Sequence, residues 1–190
     1  MPPKVKITKN DIIEATLKLL RTKGEGAINA RNLAESLGSS TQPVFSNFPT
    51  MEKLREAARE AAYKHYLSFL EKEVASGKYP EYKSFGMAYI RFAREEKELF
   101  KFLFMRNRSG EDLSAAPDFK LAVEMIMEAN GISKVSAELL HLEMWACVHG
   151  IATMAATSFL SLEEELVSQM LSDVYLGART RHMEAKDGCN

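Results

Sequence analysis

Apolar residues recur every three or four positions along most of the chain, and this spacing predicts amphipathic helices. Capping residues, glycines and prolines divide the pattern into segments. They predict helices over residues 8–23, 30–37, 51–76, 81–96, 98–105, 118–130, 133–159 and 162–182, the first capped by Thr8 with Asp11 and the last by Ser161. Only 10 Gly and 6 Pro argue against a turn-rich all-β fold, so we expect an all-α fold.

A short polar segment after residue 38 predicts one more helix. Ser40 is expected to cap it, and Pro43 then falls in its first turn, where the missing N–H costs little. Val44 and Phe48 face inward, which leaves the polar side chains outward: Thr41, Gln42, Ser46 and Asn47. With the preceding helix, this predicts a helix-turn-helix whose polar face suits the major groove of DNA. A small helical core without a binding role has the same pattern.

Charge and composition narrow the class of protein. Residues 1–50 carry a net charge of +3 and residues 51–190 one of −4, which permits contact with a polyanion at one end; a merely uneven surface gives the same balance.

No apolar run reaches the ~18 residues that span a bilayer, and no signal peptide opens the chain, so we expect a soluble, cytoplasmic protein. Two cysteines, Cys147 and Cys189, are too few for a disulfide framework or a zinc cluster.

The segments N-A-R-N-L-A-E-S-L-G (29–38), S-T-Q-P-V-F-S-N-F (40–48) and M-E-K-L (51–54) resemble the DNA-binding domain of the tetracycline-repressor (TetR) family. That family's pattern is roughly L-A-x-x-x-G-V-S-x-x-x-L-Y-x-H-F, followed by K-x-x-L. The resemblance implies that the short third helix enters the major groove and that neighbouring helices contact phosphates. Carried over by position, it implies these DNA-binding residues: Arg31, Thr41, Gln42, Pro43, Phe45, Ser46, Asn47 and Lys53.

Three positions depart from the family's pattern. The usual Tyr is Phe45, which lacks a hydroxyl that could donate to phosphate, and the usual His is Asn47. The usual phosphate-contacting Lys is Met51, a role for which Lys53 or Arg55 is a substitute. These departures bear on DNA affinity more than on the fold.

The body of the chain is rich in aromatic residues, since residues 85–105 hold five of the ten Phe. An aromatic core is one interpretation, and a cavity for apolar or aromatic ligands is the other. The TetR resemblance implies an effector pocket, for which we take these candidates: Tyr89, Phe92, Phe104, Met127, Trp145 and His149. His149 is either a hydrogen-bonded core residue or a pocket residue.

Residues 139–156 are apolar on nearly all sides, so a helix there must be covered on both sides. One cover is the chain's own core, and a partner subunit is a candidate for the other. TetR-family proteins dimerise through their last two long helices, which implies a homodimer through residues 134–181. The run Trp145–Gly150 also resembles the Trp-x-x-x-His-Gly signature of one C-terminal subclass of the family.

Catalytic and metal-binding motifs have little support. Glu138 and His141 form an E-x-x-H pair, but di-iron bundles need two such pairs and the other histidines lack the acidic residue. Cys147 lies in an apolar stretch, where a raised pKa makes a thiol inert. We therefore expect no enzyme, no metal and no cofactor.

These observations predict a helix-turn-helix domain over residues 1–50, a helical ligand-binding and dimerisation domain over 51–182, and a flexible tail over 183–190. The predicted function is that of a homodimeric transcriptional regulator, most simply a repressor released from a near-palindromic DNA operator by a small-molecule effector. The alternative is a helical dimer that binds partner proteins and whose DNA-binding head has decayed. Phe45 and Met51 are the residues that favour this alternative.

Overall fold

The computed structural model describes residues 7–115 and 117–187, and within these ranges the chain forms nine α-helices and no strand. The helices run over Lys9–Lys23 (α1), Ala30–Ser36 (α2), Gln42–Asn47 (α3), Met51–Ala75 (α4), Glu81–Glu95 (α5), Lys97–Phe104 (α6), Pro117–Asn130 (α7), Lys134–Ala156 (α8) and Glu164–Asp187 (α9). The expected all-α fold is confirmed.

The chain divides into two compact units, Met1–Ser68 with Glu96–Arg106, and Phe69–Glu95 with Asn107–Asn190. The division falls within α4. The predicted helix-turn-helix domain, residues 1–50, lies inside the first unit, and its boundary at residue 50 stays a prediction.

The four helices from α1 to α4 share the core of the first unit. It is a cluster of buried apolar side chains: Ile12, Ala15, Leu19, Leu33, Val44, Phe48 and Leu54. The predicted Thr8–Asp11 capping box is present, since the Thr8 hydroxyl accepts from the Asp11 N–H at 3.2 Å and the Asp11 carboxylate accepts from the Thr8 N–H at 2.8 Å. Gly38 ends the helix-turn-helix's first helix with a φ of +60°, which glycine adopts without strain.

Four predicted helix ends are wrong: the start of α3, the end of α8 and both ends of α9. α3 begins after Thr41, whose carbonyl accepts from Val44 and Phe45, so Ser40 is not its cap. α8 ends at Ala156 instead of near Phe159, because Ser158 adopts a φ of +58° and the Phe159 N–H turns back to the Met154 carbonyl.

α9 begins at Glu164 instead of after Ser161, since its first N–H bond runs from Val167 to the Glu163 carbonyl. It then continues to Asp187, five residues beyond the predicted end at 182 and into the stretch predicted as a tail. Residues 188–190 lie outside the described residues.

α8 is the central helix of the second unit and packs against α5, α7 and α9. Its inward side carries Met144, Val148, Ile151 and Ala155, all of which are buried. Gly86 on α5 permits a close approach, because a Cβ there would lie 3.1 Å from Val148 and 3.2 Å from Leu171. By length and mean hydropathy α8 also meets the requirements of a membrane-spanning helix, which core helices of soluble proteins meet as well.

Glu96, just before α6, connects three helices of the first unit. Its carboxylate accepts two hydrogen bonds from Arg21 on α1, at 2.8 and 3.0 Å, and lies 2.9 Å from Nε2 of His65 on α4. Burial raises the pKa of Glu96, but the hydrogen bonds from Arg21 and His65 outweigh burial and hold that pKa below its ordinary value. The ionised carboxylate is therefore the form that stabilises the fold.

We expect Glu96→Gln to lower the free energy of unfolding by roughly 1–2 kcal/mol near neutral pH, because charge-assisted hydrogen bonds are lost from a partly solvated site. A carboxyl with a lowered folded-state pKa stabilises the protein above its unfolded pKa, ordinarily 4.5, and this contribution is lost as the pH falls through the folded-state pKa. The difference between the two proteins should thus shrink below pH ~4. Urea unfolding across this range measures it.

The matched control is Glu95→Gln, because Glu95 is the neighbouring carboxylate and its distance to Arg91 is a long 4.0 Å. This variant should be nearly as stable as the wild type. Equal stability of Glu96→Gln and wild type at pH 7 would contradict the proposed role of Glu96.

Candidate functional site

The outward face of α3 carries four exposed residues: Thr41, Gln42, Phe45 and Ser46. Val44 and Phe48 fix this orientation, since both are buried in the core of the first unit. Gln42 is the first residue of the helix, and Pro43 follows it in the first turn as predicted. The face thus combines three small or amide side chains with one aromatic ring and has no charged group.

Asn47 does not belong to this outward face, and its predicted orientation is wrong. It is half-buried, and its amide nitrogen donates to the Pro43 carbonyl at 2.9 Å and to the Ile7 carbonyl at 3.4 Å. The side chain therefore holds the start of α1 to the end of α3.

The basic residues near α3 differ in whether their side chains already form an ion pair or a hydrogen bond within the protein. Arg31 is exposed on α2, and no carboxylate pairs with it among the described residues. Lys53 lies 2.6 Å from the Glu56 carboxylate, and Arg55 donates to the Ile28 carbonyl at 3.1 Å. Of the two substitutes for the family's lysine, Arg55 is thus engaged with the backbone and Lys53 with an exposed carboxylate.

Three of the six effector-pocket candidates meet in the second unit. The Tyr89 hydroxyl lies 3.0 Å from Nδ1 of His149, and the rings of Trp145 and His149 are stacked with their centroids 5.0 Å apart and their planes 6° apart. Tyr89 is buried, whereas Trp145 and His149 are half-buried on α8. A stacked, partly accessible aromatic pair beside a hydroxyl is suited to a flat ligand.

Residues 82–174 match the family described as tetracyclin repressor-like, C-terminal domain. The chain carries a TetR-type C-terminal domain. All six effector-pocket candidates lie within the matched range. This confirms the family resemblance, whereas the Trp-x-x-x-His-Gly subclass stays a prediction.

Two solved structures share the fold. The crystal structure of multidrug binding protein EbrR complexed with imidazole is 15% identical, covers 86% of this chain and 87% of its own, and has a TM-score of 0.58. The structure of RolR without ligand is 15% identical, covers 89% and 93%, and has a TM-score of 0.55. No curated protein matches the chain by sequence.

The TetR-type C-terminal domain supports the interpretation of this chain as a ligand-responsive transcriptional regulator. Proteins of the TetR family are in general soluble, cytoplasmic and non-enzymatic. Within the described residues, no three His, Cys, Asp or Glu side chains lie together as a metal site requires.

The other three effector-pocket candidates do not join the Tyr89–His149 group. Phe92 is fully buried, and its ring packs edge-on against Phe69 at 5.2 Å, as in a core. Phe104 belongs to the first unit, where its ring contacts Tyr66 and Phe100 at 5.5 and 5.3 Å. Met127 is half-buried on α7.

A second tyrosine–histidine pair in the TetR-type domain was not predicted. The Tyr82 hydroxyl lies 2.9 Å from Nδ1 of His141, and the Phe119 ring packs edge-on against the imidazole at 4.9 Å. Burial lowers the pKa of His141, and the charge of Asp118 opposes this shift. The E-x-x-H pattern draws attention to His141 but gives no sign of Tyr82, which lies 59 residues earlier.

Burial also shifts the pKa values of two side chains on α8, Cys147 and His149. It raises the pKa of the Cys147 thiol, as predicted, which keeps the thiol protonated. Burial first, and the positive charge of Arg108 second, lower the pKa of His149 below its ordinary 6.5. The neutral imidazole therefore predominates at pH 7, and in this form Nδ1 can accept a hydrogen bond from the Tyr89 hydroxyl.

Trp145 is the only tryptophan, and its ring is stacked on His149, so tryptophan fluorescence reports the protonation state of His149. An imidazolium stacked on an indole quenches it, so we expect the emission to fall on acidification with a midpoint below pH 6.5. Tyr89→Phe should raise this midpoint, because the neutral imidazole loses a donor. His149→Gln should abolish the step, and His65→Gln is the control that keeps it. A midpoint above 6.5 would contradict the lowering of the His149 pKa by burial and Arg108.

Proposed function

We propose that the protein is a homodimeric repressor that binds a near-palindromic operator through α3 and leaves it when a small molecule binds the second unit. The observation that carries the proposal is an exposed, uncharged α3 face in a chain with a TetR-type C-terminal domain. A face without charged groups makes no ionic contacts with phosphates, whereas its amide and hydroxyl groups can form hydrogen bonds with base edges.

Gln42 is the residue best placed to read a base. Recognition helices present their N-terminal residues to the major groove, and Gln42 is exposed at the first position of α3. Its amide group matches the N6 and N7 atoms of adenine. Arg31 on α2, exposed and without a carboxylate partner among the described residues, supplies a phosphate contact. Thr41, Pro43 and Ser46 adjoin Gln42 and complete the surface.

The alternative of a decayed DNA-binding head is weakened by Met51. This residue is half-buried and packs against the core cluster of the first unit, so it replaces the family's lysine with a core contact. Ile12, Leu33 and Leu54 in that cluster have no exposed surface. A DNA-binding domain that had lost its role would no longer need such a tightly packed core, whereas this one retains it.

Exposed apolar side chains on α8 and α9 support a homodimer through residues 134–181. Val135, Leu139 and Leu142 recur on one face of α8 and are 75%, 48% and 41% exposed. Leu166 and Val174 lie two turns apart on α9 and are also exposed. Apolar stripes on two adjacent helices are typical of an interface between subunits.

The Tyr89–His149–Trp145 group supports an aromatic effector site. A flat ligand has an indole–imidazole stack to pack against, and the lowered pKa of His149 keeps the group uncharged at neutral pH. For release, the effector must bind the operator-free conformation more tightly than the operator-bound one.

Gln42→Ala should weaken operator binding by roughly 1–3 kcal/mol and relax the preference at one position of each half-site. Arg31→Ala should weaken binding to all sequences alike and make the dependence of log K on log salt shallower by about one unit. Lys53→Ala should act like Arg31→Ala but less, because Glu56 competes for the lysine. Binding-site selection followed by salt titration measures these effects.

The wild type and Arg31→Ala should select the same motif, which makes Arg31→Ala the control for sequence preference. Identical motifs from the wild type and Gln42→Ala would show that Gln42 reads no base. A wild type that enriches no motif and binds without salt dependence would overturn the DNA-binding proposal.

Leu139→Glu should convert the dimer to monomers or make the protein insoluble, because it places a charge in an apolar interface. Leu121→Glu is the matched control, since Leu121 is equally exposed, at 46%, on α7 outside residues 134–181. Sedimentation velocity at micromolar concentration compares the two. A wild-type monomer, or an unchanged dimer in Leu139→Glu, would contradict this interface.

A further inference from the structure

Phe45 is the one large apolar side chain on the outward face of α3. Its side chain is 49% exposed, although Val44 beside it is fully buried. No aromatic or cation–π partner contacts its ring among the described residues. Thr41 and Gln42 are its neighbours on this face, because residues three and four apart on a helix lie beside each other.

A phosphate does not account for an aromatic ring at this position. Phe45 has no group that donates to phosphate oxygens, and an ionic phosphate gains nothing from a hydrocarbon. Base edges in the major groove are mostly hydrogen-bonding atoms, and the C5-methyl group of thymine is their one apolar feature. A thymine methyl is therefore the part of the groove that matches Phe45.

The spacing to Gln42 is compatible with this match. Side chains three residues apart on a helix have Cβ atoms ~5–6 Å apart. Successive base pairs are ~3.4 Å apart, so two such side chains reach bases within about two steps of one another. Gln42 and Phe45 can thus contact neighbouring base pairs in one docking of the helix.

We propose that Phe45 is a specificity-determining residue that reads the methyl group of one thymine in each half-site. This inference rests on the proposed DNA binding. It gives the ring, which departs from the family's tyrosine, a base-reading role in place of the lost phosphate contact.

The experiment compares thymine with uracil, which pairs identically and lacks only the methyl group. The operator is first obtained by binding-site selection with the wild type, and each thymine of a half-site is then replaced by uracil in turn. One replacement should weaken wild-type binding roughly fourfold per half-site, the factor that burial of one methyl-sized group gives. Phe45→Ala should bind the thymine and uracil operators equally, and Phe45→Leu should keep part of the difference.

Glu14→Gln is the control, because Glu14 is exposed on α1 and outside the proposed DNA-binding surface, and this variant should keep the full thymine preference. Because Phe45 is exposed, Phe45→Ala should melt like the wild type, which separates a binding effect from misfolding. A selected motif with no uracil effect at any position, or an unchanged effect in Phe45→Ala, overturns this inference alone. Failure to select any motif overturns this inference, and if binding also lacks salt dependence it overturns the DNA-binding proposal as well.

Discussion

The burial of Val44 and Phe48 is the constraint on which the proposed DNA-binding surface depends. α3 has six residues, too few for a helix that is stable by itself in water, so tertiary contacts must hold it. The two side chains enter a cluster with Ile12, Leu33 and Leu54. Because four-residue spacing puts both anchors on one side, the residues between them, among them Phe45 and Ser46, are left on the other.

In the proposed complex with DNA, phosphate attraction and base reading would fall to different elements of the first unit. The outward face of α3 is uncharged, so it contributes little to the salt-dependent part of DNA binding. The cations lie on flanking helices, where Lys53 and Arg55 already have partners within the first unit and Arg31 has an exposed side chain. If the proposed binding holds, its specificity would depend more on the fit of α3 to the bases than on the number of phosphate contacts.

Local patterns predicted most of the fold, and contacts distant in sequence account for what they missed. The Thr8 cap and the inward side of α3 followed from neighbouring residues alone. Asn47 was misjudged because one of its hydrogen bonds reaches Ile7, forty residues away. At the candidate effector site, Tyr89 and His149 were both predicted, but Phe104 was grouped with them only because aromatic content does not reveal which unit a residue joins.

The proposed effector site and dimer stripe share helix α8. Leu142, Trp145 and His149 recur at spacings of three and four residues, so they follow one side of the helix. An α-helix is a rigid element, so a ligand that packs against the Trp145–His149 stack and shifts α8 would also move Leu142. The free energy of effector binding would then be linked to the proposed contact between subunits, which in such a dimer would set the spacing of two α3 helices on DNA. This linkage needs no contact between the effector and the DNA-binding residues.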